Sequence, residues 1–456
     1  MDETSPSAAA DTSGLDTVGP AQGTDAASSY RWYVLGILTI VYTFNFIDRQ
    51  IIAILSPAIK EELGLSDTVL GLLKGLAFAA LYSILGIPLA WLADRWNRVS
   101  LISISLALWS GFTALSGLAG SVTQLTLARI GVGIGEAGCS PPAHSLISDY
   151  FAKEERAQAL SIYSLGIPFG QMFAFLAGGW MVQELGWRSA FFLVGIPGLL
   201  LALIMKFTVK EPIRGSSDNY AAASPATREE FMAGLREMLT IPSYWGVTIA
   251  VTLISFTGYG MILWIVDFYR RVHELSYLEI TLPLALLNGV AYGIGTFMGG
   301  WLTVRAAKKN IAAYVTIPGI AALATIPFGL ASLWAPTPFL SFAFSAPFLI
   351  FIGIYLGPSF SLIQTLAPLR LRSVATAIFF LVLNLIALGF AAPFVGALSD
   401  FFLEQHGEAN ALRIGMSALS IFSLAAAGVY YWTSKRLPED WKAAEERNSG
   451  GSAPTI

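Results

Sequence analysis

The chain alternates between long apolar stretches and short connectors marked by charge, Pro or Gly. A bilayer core takes about 20 predominantly apolar residues per helical crossing, and only helices or closed barrels satisfy every backbone group in hydrocarbon. Runs of this length select helices. The pattern predicts helices at 31–56, 68–93, 99–119, 122–148, 156–183 and 188–209, and again at 244–270, 277–304, 310–333, 338–366, 372–399 and 411–434. Between the two sets, 210–243 is polar and carries Lys210, Arg214, Asp218, Arg228 and Arg236. The expected fold class is an all-α membrane protein of twelve transmembrane helices in two pseudo-symmetric six-helix bundles, 31–209 and 244–434, joined by that linker. Residues 1–30 lack a basic leader and an apolar run, so they read as a disordered tail and not as a signal peptide. Residues 435–456 read as a second tail.

An internal repeat supports the two halves. Ala90-Trp-Leu-Ala-Asp94-Arg95-Trp-Asn-Arg98 returns 210 residues later as Gly300-Trp-Leu-Thr-Val304-Arg305-Ala-Ala-Lys308, each copy at the same end of the second helix of its half. Arg156-Ala-Gln-Ala and Arg372-Ser-Val-Ala open the fifth and eleventh helices alike. Parallel repeats of this kind mark transporters. With the N-terminus inside, 19 of the 27 Lys and Arg fall on the cytoplasmic side and six on the outer ends, so the positive-inside rule places both termini in the cytoplasm. A plasma (inner) membrane location is expected.

Composition narrows the function. Apolar residues make up 55% of the 456 and charged residues 12%, about half the charge of a soluble chain. Twelve crossings leave little room for a catalytic domain, so no enzyme is expected. Basic residues are spread over many segments, which excludes a nucleic-acid surface. One cysteine, Cys139, permits no internal disulfide, and three scattered His give no metal-ligand spacing. The sequence contains no phosphate-binding loop of the G-x-x-x-x-G-K-[ST] type, and no cofactor is expected. Lys74 is expected to snorkel outward, and His144 to pack or meet interfacial water.

Charges inside the apolar segments are the sharper signal. Asp48 and Arg49 lie in the first helix, Arg129 and Glu136 in the fourth. At ~1.5 Å per residue, Asp48 is ~25 Å from the cytoplasmic start of its helix and Arg129 ~10 Å from the outer start of its own, so their depths nearly coincide. Asp48 and Arg49 differ by ~100° of rotation and cannot point the same way. A buried charge is costly unless paired or wetted, which makes all four functional candidates. Asp48 with Arg129 reads equally as a structural ion pair. Glu136 has no basic residue one turn away, lies near the midplane, and is the better proton carrier, with Asp48 a weaker one. The helices expected to mirror the first and fourth, the seventh and tenth, offer Tyr259, Trp264 and Tyr355 as an aromatic wall. They read equally as packing, and for any single one of them packing is the stronger reading.

The loop Ala90-Trp-Leu-Ala-Asp94-Arg95-Trp96-Asn97-Arg98 resembles the major facilitator signature G-x-x-x-D-R-x-G-R, with Ala90 and Asn97 where Gly is usual. The resemblance implies that Asp94, with Arg95 and Arg98, forms a conformational latch near Arg372 at the start of the eleventh helix. The alternative is that Arg95 and Arg98 serve topology alone. Asn45-Phe-Ile-Asp48-Arg49 and Gly133-Ile-Gly135-Glu136-Ala137-Gly-Cys-Ser140-Pro-Pro, followed by Asp149-Tyr-Phe, resemble the Spinster family. That resemblance implies a lipid-like, amphipathic and anionic substrate, held by Arg49 or Arg129 and coupled to protons. Expected partners are therefore this small solute, protons and membrane lipids, with the protein a monomer. A carrier of drugs, sugars or organic anions, and a transport-inactive receptor of the same fold, are the alternatives.

Overall fold

A computed structural model describes residues 25–93, 95–213, 228–368 and 371–449. The described residues are helical, with no strand among them. Among the described residues, nine helical stretches are long and apolar enough to cross a membrane, and two of these, Gln158–Thr208 and Val374–Arg447, each hold two crossings. A further crossing, Val122–Glu136 followed by Ser140–Tyr150, is broken into pieces too short to qualify singly. Twelve crossings result.

The first half comprises helix 1 (Asp25–Leu63), helix 2 (Asp67–Lys74, then Leu76–Ala93), helix 3 (Arg98–Ser116), the broken helix 4, helix 5 (Lys153–Ser164, then 166–185) and helix 6 (187–208). The second half comprises helix 7 (Pro242–Val272), helix 8 (Tyr277–Ala307, with a π-helical turn at Leu287–Ala291), helix 9 (Ala313–Leu333), helix 10 (Pro338–Gly353, then Leu356–Leu366), helix 11 (372–406, with a π-helical turn at Asn384–Leu388) and helix 12 (408–417, then Ser420–Ser449). A short helix, Arg228–Leu239, lies in the linker. Helix 1 thus begins six residues before the expected boundary, and helix 12 runs on through 435–449, where a tail was expected.

Local chemistry sets where the helices start. Ser66, Asn97, Ser121, Ser276 and Thr337 each accept a hydrogen bond from a backbone N–H of the first turn they precede, and Ser276 completes a capping box with Glu279. The chain reverses between helices 5 and 6 at Gly186 (φ 77°, ψ 163°) and between helices 11 and 12 at Gly407 (φ 71°, ψ 165°). This region is essentially closed to side chains. Its recurrence at the same place in both halves repeats at the backbone the symmetry seen in the sequence.

Within the first half, helices 1 and 3 pack on helices 5 and 6, and helix 4 packs on helices 2 and 3. Helix 7 packs on helices 11 and 12, while helices 9 and 12, 9 and 10, and 8 and 10 also pair. The halves meet where helix 2 lies along helix 11, helix 5 along helix 8, and helix 1 along helix 7. These contacts concentrate at the face remote from the termini, called the far face below.

Candidate functional site

At the far face the backbones nearly touch. A Cβ built at Gly71 would lie 2.5 Å from the Ala392 carbonyl oxygen, and one at Gly75 would lie 2.7 Å from that of Gly389. Gly396 is equally close against the backbone of Asp67, and Gly179 against Thr281. The atoms nearest to a Cβ at position 71 are backbone of the other half, so Gly71→Val is expected to leave each half folded and to hold the far face open. Overpacking of this kind costs about 1–3 kcal/mol, which becomes a measurable rise in the distance between spin labels placed on exposed Glu61 and Glu404. An unchanged distance would show that the closure tolerates the side chain.

Charges reinforce the closure. Lys74 and Asp267 form a fully buried ion pair at 2.6 Å, and Ser56 Oγ donates to the same carboxylate at 2.7 Å. The Lys74 ammonium also sits 3.7 Å from the centre of the Trp264 ring. Arg271 binds Asp67 through two hydrogen bonds of 2.6 and 2.8 Å and reaches Asp267 at 3.2 Å. Asp400 of helix 11 accepts from the backbone N–H groups of Asp67 and Thr68 at 2.9 and 2.8 Å, so it caps the N-terminus of helix 2 from the opposite half. Lys60 bridges Asp67 at 2.9 Å and Glu408 at 3.4 Å.

This network corrects two expectations. Lys74 does not snorkel; it is buried against its counter-ion, because helix 7 supplies Asp267 at the same depth. Trp264, expected on a cavity wall, is fully buried in the closed gate, where its indole N–H donates to the Ala392 carbonyl at 3.0 Å.

Deeper between the halves lies the second charge cluster. Arg49 Nε donates to Glu136 Oε2 at 2.8 Å; the Glu136 side chain is fully buried and the Arg49 side chain retains 16% of its exposure. Phe46, Phe78 and Tyr82 surround the guanidinium, with ring centres 5.2, 5.3 and 4.6 Å from it. Asp48 points away from Arg49, as the rotation demands, and accepts a short hydrogen bond from the Thr113 hydroxyl.

Arg129 does not close an ion pair on the Asp48 carboxylate. Its nearest hydrogen bond, at 3.5 Å, goes to the Asp48 backbone carbonyl. The expected pairing is thus replaced by Arg49 with Glu136, since a long arginine side chain and inclined helices bridge the ~10 Å of depth that separates them along straight axes. Asp48 Oδ2, Glu136 Oε1 and Arg129 Nε are buried without a hydrogen-bond partner among the described residues. Buried polar atoms without a protein partner, gathered in one place, call for water, an ion or a proton to complete them. Helix 4 breaks at 137–139, directly after Glu136, and Pro141 and Pro142 open its second part. Discontinuous helices at membrane depth mark transport sites.

The second half contributes tyrosines. Tyr259 packs against the hydrophobic cores of both halves and lies within electrostatic range of Arg49 and Tyr82. Tyr355 is nearly buried, and its hydroxyl bonds Ser255 Oγ at 2.8 Å.

The residues expected at the inner gate are dispersed. Asp94 lies outside the described residues, and with it the expected contact to Arg372, which is exposed at the start of helix 11. Arg95 stacks over Trp91 at 3.8 Å, facing solvent. Arg98 is buried and bonds Glu211 at 2.6 Å and Ser145 at 2.7 Å, and it also pairs with Asp149. Its partners lie in the first half and at the start of the linker, where the Pro212 carbonyl also accepts from it, and none of these contacts crosses to the second half.

The sequence pattern of the Major Facilitator Superfamily matches residues 38–388. The chain is 31% identical over 436 residues to an "MFS-type efflux pump" of Mycolicibacterium smegmatis, covering 95% of this chain and 98% of that protein. It is 26% identical to "Protein spinster homolog 1" of Xenopus tropicalis, covering 92% and 84%. A crystal structure described as a bacterial homolog to the human lysosomal transporter Spinster, inward-facing and unoccupied, superposes with a TM-score of 0.83 at 33% identity, covering 90% of this chain and 98% of that one. Paired six-helix bundles closed at one face, charges buried between them and these likenesses lead to one conclusion: the chain belongs to the Major Facilitator Superfamily of membrane transporters and resembles its Spinster members.

Proposed function

We propose that this protein is a secondary active transporter of the plasma (inner) membrane that carries an amphipathic, anionic solute by alternating access coupled to protons. The observation that carries the reading is the buried Arg49–Glu136 pair at the meeting of the two halves. Arg49 is the basic group of this cluster that keeps solvent exposure, and its ring of Phe46, Phe78 and Tyr82 suits a solute with one anionic and one apolar end. An anion that takes Arg49 leaves Glu136 without its counter-ion in a water-poor site, and a proton is then what neutralises it. The loaded site would hold one anion on Arg49 and one proton on Glu136, and release of either favours release of the other. Tyr259 and Tyr355 would contact the solute from the second half, and Arg129 would hold Asp48 and helix 1 in register.

The two moving bodies would be 31–209 and 244–434, tethered by 210–243. Both termini would face the cytoplasm, with the far face outside, which fits 19 of 27 basic residues on the terminal side. Single cysteines placed in the helix Arg228–Leu239, after replacement of Cys139, are then expected to resist an impermeant thiol reagent applied to intact cells. Labelling from outside would invert the orientation.

The transport reading is tested in liposomes by uptake of a panel of lysolipids, sphingolipid phosphates and sugar acids, with and without an imposed pH gradient. Gradient-driven accumulation of an anionic amphiphile is expected, and it should be lost in Arg49→Gln. Accumulation indifferent to the pH gradient would refute proton coupling, and a preference for sugar acids would refute the amphipathic substrate.

A further inference from the structure

Asn45 stands one turn before Arg49 on helix 1, and nothing so far accounts for it. Its side chain is buried, and both Nδ2 and Oδ1 lack a hydrogen-bond partner among the described residues. Residues four apart share a helix face, so the amide points where Arg49 points. It lies beside the Glu136 carboxylate, near enough to bias its charge, without closing a hydrogen bond of good geometry. Glu136 Oε1, the oxygen that Arg49 leaves free, is orphaned as well. We propose that Asn45 is the positioning residue that takes over Glu136 when a solute takes Arg49, pairing with the protonated carboxyl through two hydrogen bonds. This role rests on the transport reading above and adds to it the group that holds the proton in place.

The chemistry of an amide sets the preference. A buried amide with neither end bonded is rare, because each unmade bond costs free energy. Leucine, of the same bulk, would serve the Arg49–Glu136 pairing better, since that form uses neither polar atom of Asn45. An asparagine here is useful only to a partner that both accepts and donates. An ionised glutamate accepts only and can engage Nδ2 alone; protonated, it accepts from Nδ2 with one oxygen and donates from the other to Oδ1. The acid thus makes two bonds where the carboxylate makes at most one, and Asn45 favours the protonated form once Arg49 is occupied elsewhere. The other ionisable groups about Glu136 do not fill this place. Asp48 of helix 1 repels a carboxylate, Cys139 of helix 4 is a weak donor, and Arg129 of helix 4 is turned to the Asp48 carbonyl. Helix 2 presents Tyr82 and helix 7 Tyr259, both toward the Arg49 guanidinium. Helix 3, packed behind helix 4, offers the uncharged Trp109 and Thr113.

The test needs no solute. Full-length protein in phosphatidylcholine liposomes carries Arg49→Met, which deprives Glu136 of its arginine as a bound anion would, and infrared difference spectra follow a pH titration. A carboxylic-acid C=O band that vanishes when Glu136→Gln is added belongs to Glu136. Adding Asn45→Leu is expected to move this band to higher wavenumber, as the acid loses its partners. The pH at which half of the band appears should fall by about one unit, a tenfold loss of proton affinity. In the protein that keeps Arg49, Asn45→Leu should not lower the melting temperature, because the Arg49-paired form makes no bond to Asn45. A band that Asn45→Leu leaves unmoved would overturn the proposal, as would the absence of any Glu136 band in Arg49→Met. A lower melting temperature with an unmoved band would reduce Asn45 to a packing residue. If Asn45→Leu fails to fold, Asn45→Val decides by the same band. A protein that accumulates none of the lysolipids would refute the transport reading without touching this spectrum, so the two failures are told apart.

Discussion

Asp267→Asn is expected to convert a protein closed at the far face into one that rests open there. In the closed form Lys74 and Asp267 have no solvent exposure, so removing the carboxylate leaves an ammonium buried without its counter-ion. Such a loss costs about 3–5 kcal/mol. When the halves part, Lys74 on helix 2 and position 267 on helix 7 separate and become wet, and the penalty disappears. The closed-to-open ratio should therefore fall by about two to three and a half orders of magnitude, at about 1.4 kcal/mol per tenfold change. Spin labels on Glu61 and Glu404 in a protein lacking Cys139 would read this as a shift to the longer distance.

A second variant separates the electrostatic cause from simple damage. Lys74→Met combined with Asp267→Leu replaces the pair by apolar groups of similar bulk, which at buried sites is often neutral or stabilising. The remaining network survives, because Ser56 keeps its bond to the Ala53 carbonyl and Arg271 keeps Asp67. The double variant should close again. If the single variant stays closed, or the double variant stays open, the buried pair is not what holds the gate.

Glu136→Gln is expected to abolish pH-gradient-driven accumulation while leaving the exchange of solute across the membrane in place. Glutamine keeps the shape and can still accept the hydrogen bond from Arg49, but it neither binds nor releases a proton. The fold should survive, since Arg49 retains its partial exposure and its three aromatic neighbours. Two measurements on the same proteoliposomes decide: net uptake under an imposed pH gradient, and counterflow without one. Wild-type accumulation in Glu136→Gln would remove this residue as the proton carrier. Loss of both activities in a folded protein would assign it to solute binding instead. Asp48→Asn should behave differently, because its carboxylate accepts from Thr113 and faces the buried Arg129. Reduced expression is expected there before any change in coupling.

Parts of this arrangement were legible in the residues alone. Apolar runs of about 20 residues have one economical solution in a bilayer, so the helices, their number and the two halves followed from length and hydropathy. The repeated Gly-Trp and Ala-Trp segments at Trp91 and Trp301 carried the symmetry. Charges at Asp48, Arg49, Arg129 and Glu136 stood out because hydrocarbon admits so few. Lys74 and Asp267 meet the same criterion, but Lys74 lies near a helix end, where a lysine stem commonly snorkels, and Asp267 lies beside Arg270 and Arg271, where it resembles part of a polar terminus. Their distance from each other in sequence hides that helices 2 and 7 bring them to one depth.

Sequence by itself determined which segments enter the membrane, because transfer of a backbone helix into hydrocarbon depends on local composition and little else. It also determined which side chains would be costly there. Only the tertiary structure decided their partners. Pairing depends on helix tilt, rotation and the reach of an arginine or lysine stem, none of which is written in the spacing along one helix. Depth along ideal axes matched Asp48 to Arg129, whereas packing delivered Arg49 to Glu136 and Lys74 to Asp267. The closure at Gly71, Gly75 and Gly396 was likewise decided by two surfaces meeting, since a glycine in a helix acquires its meaning from the backbone that comes to lie against it.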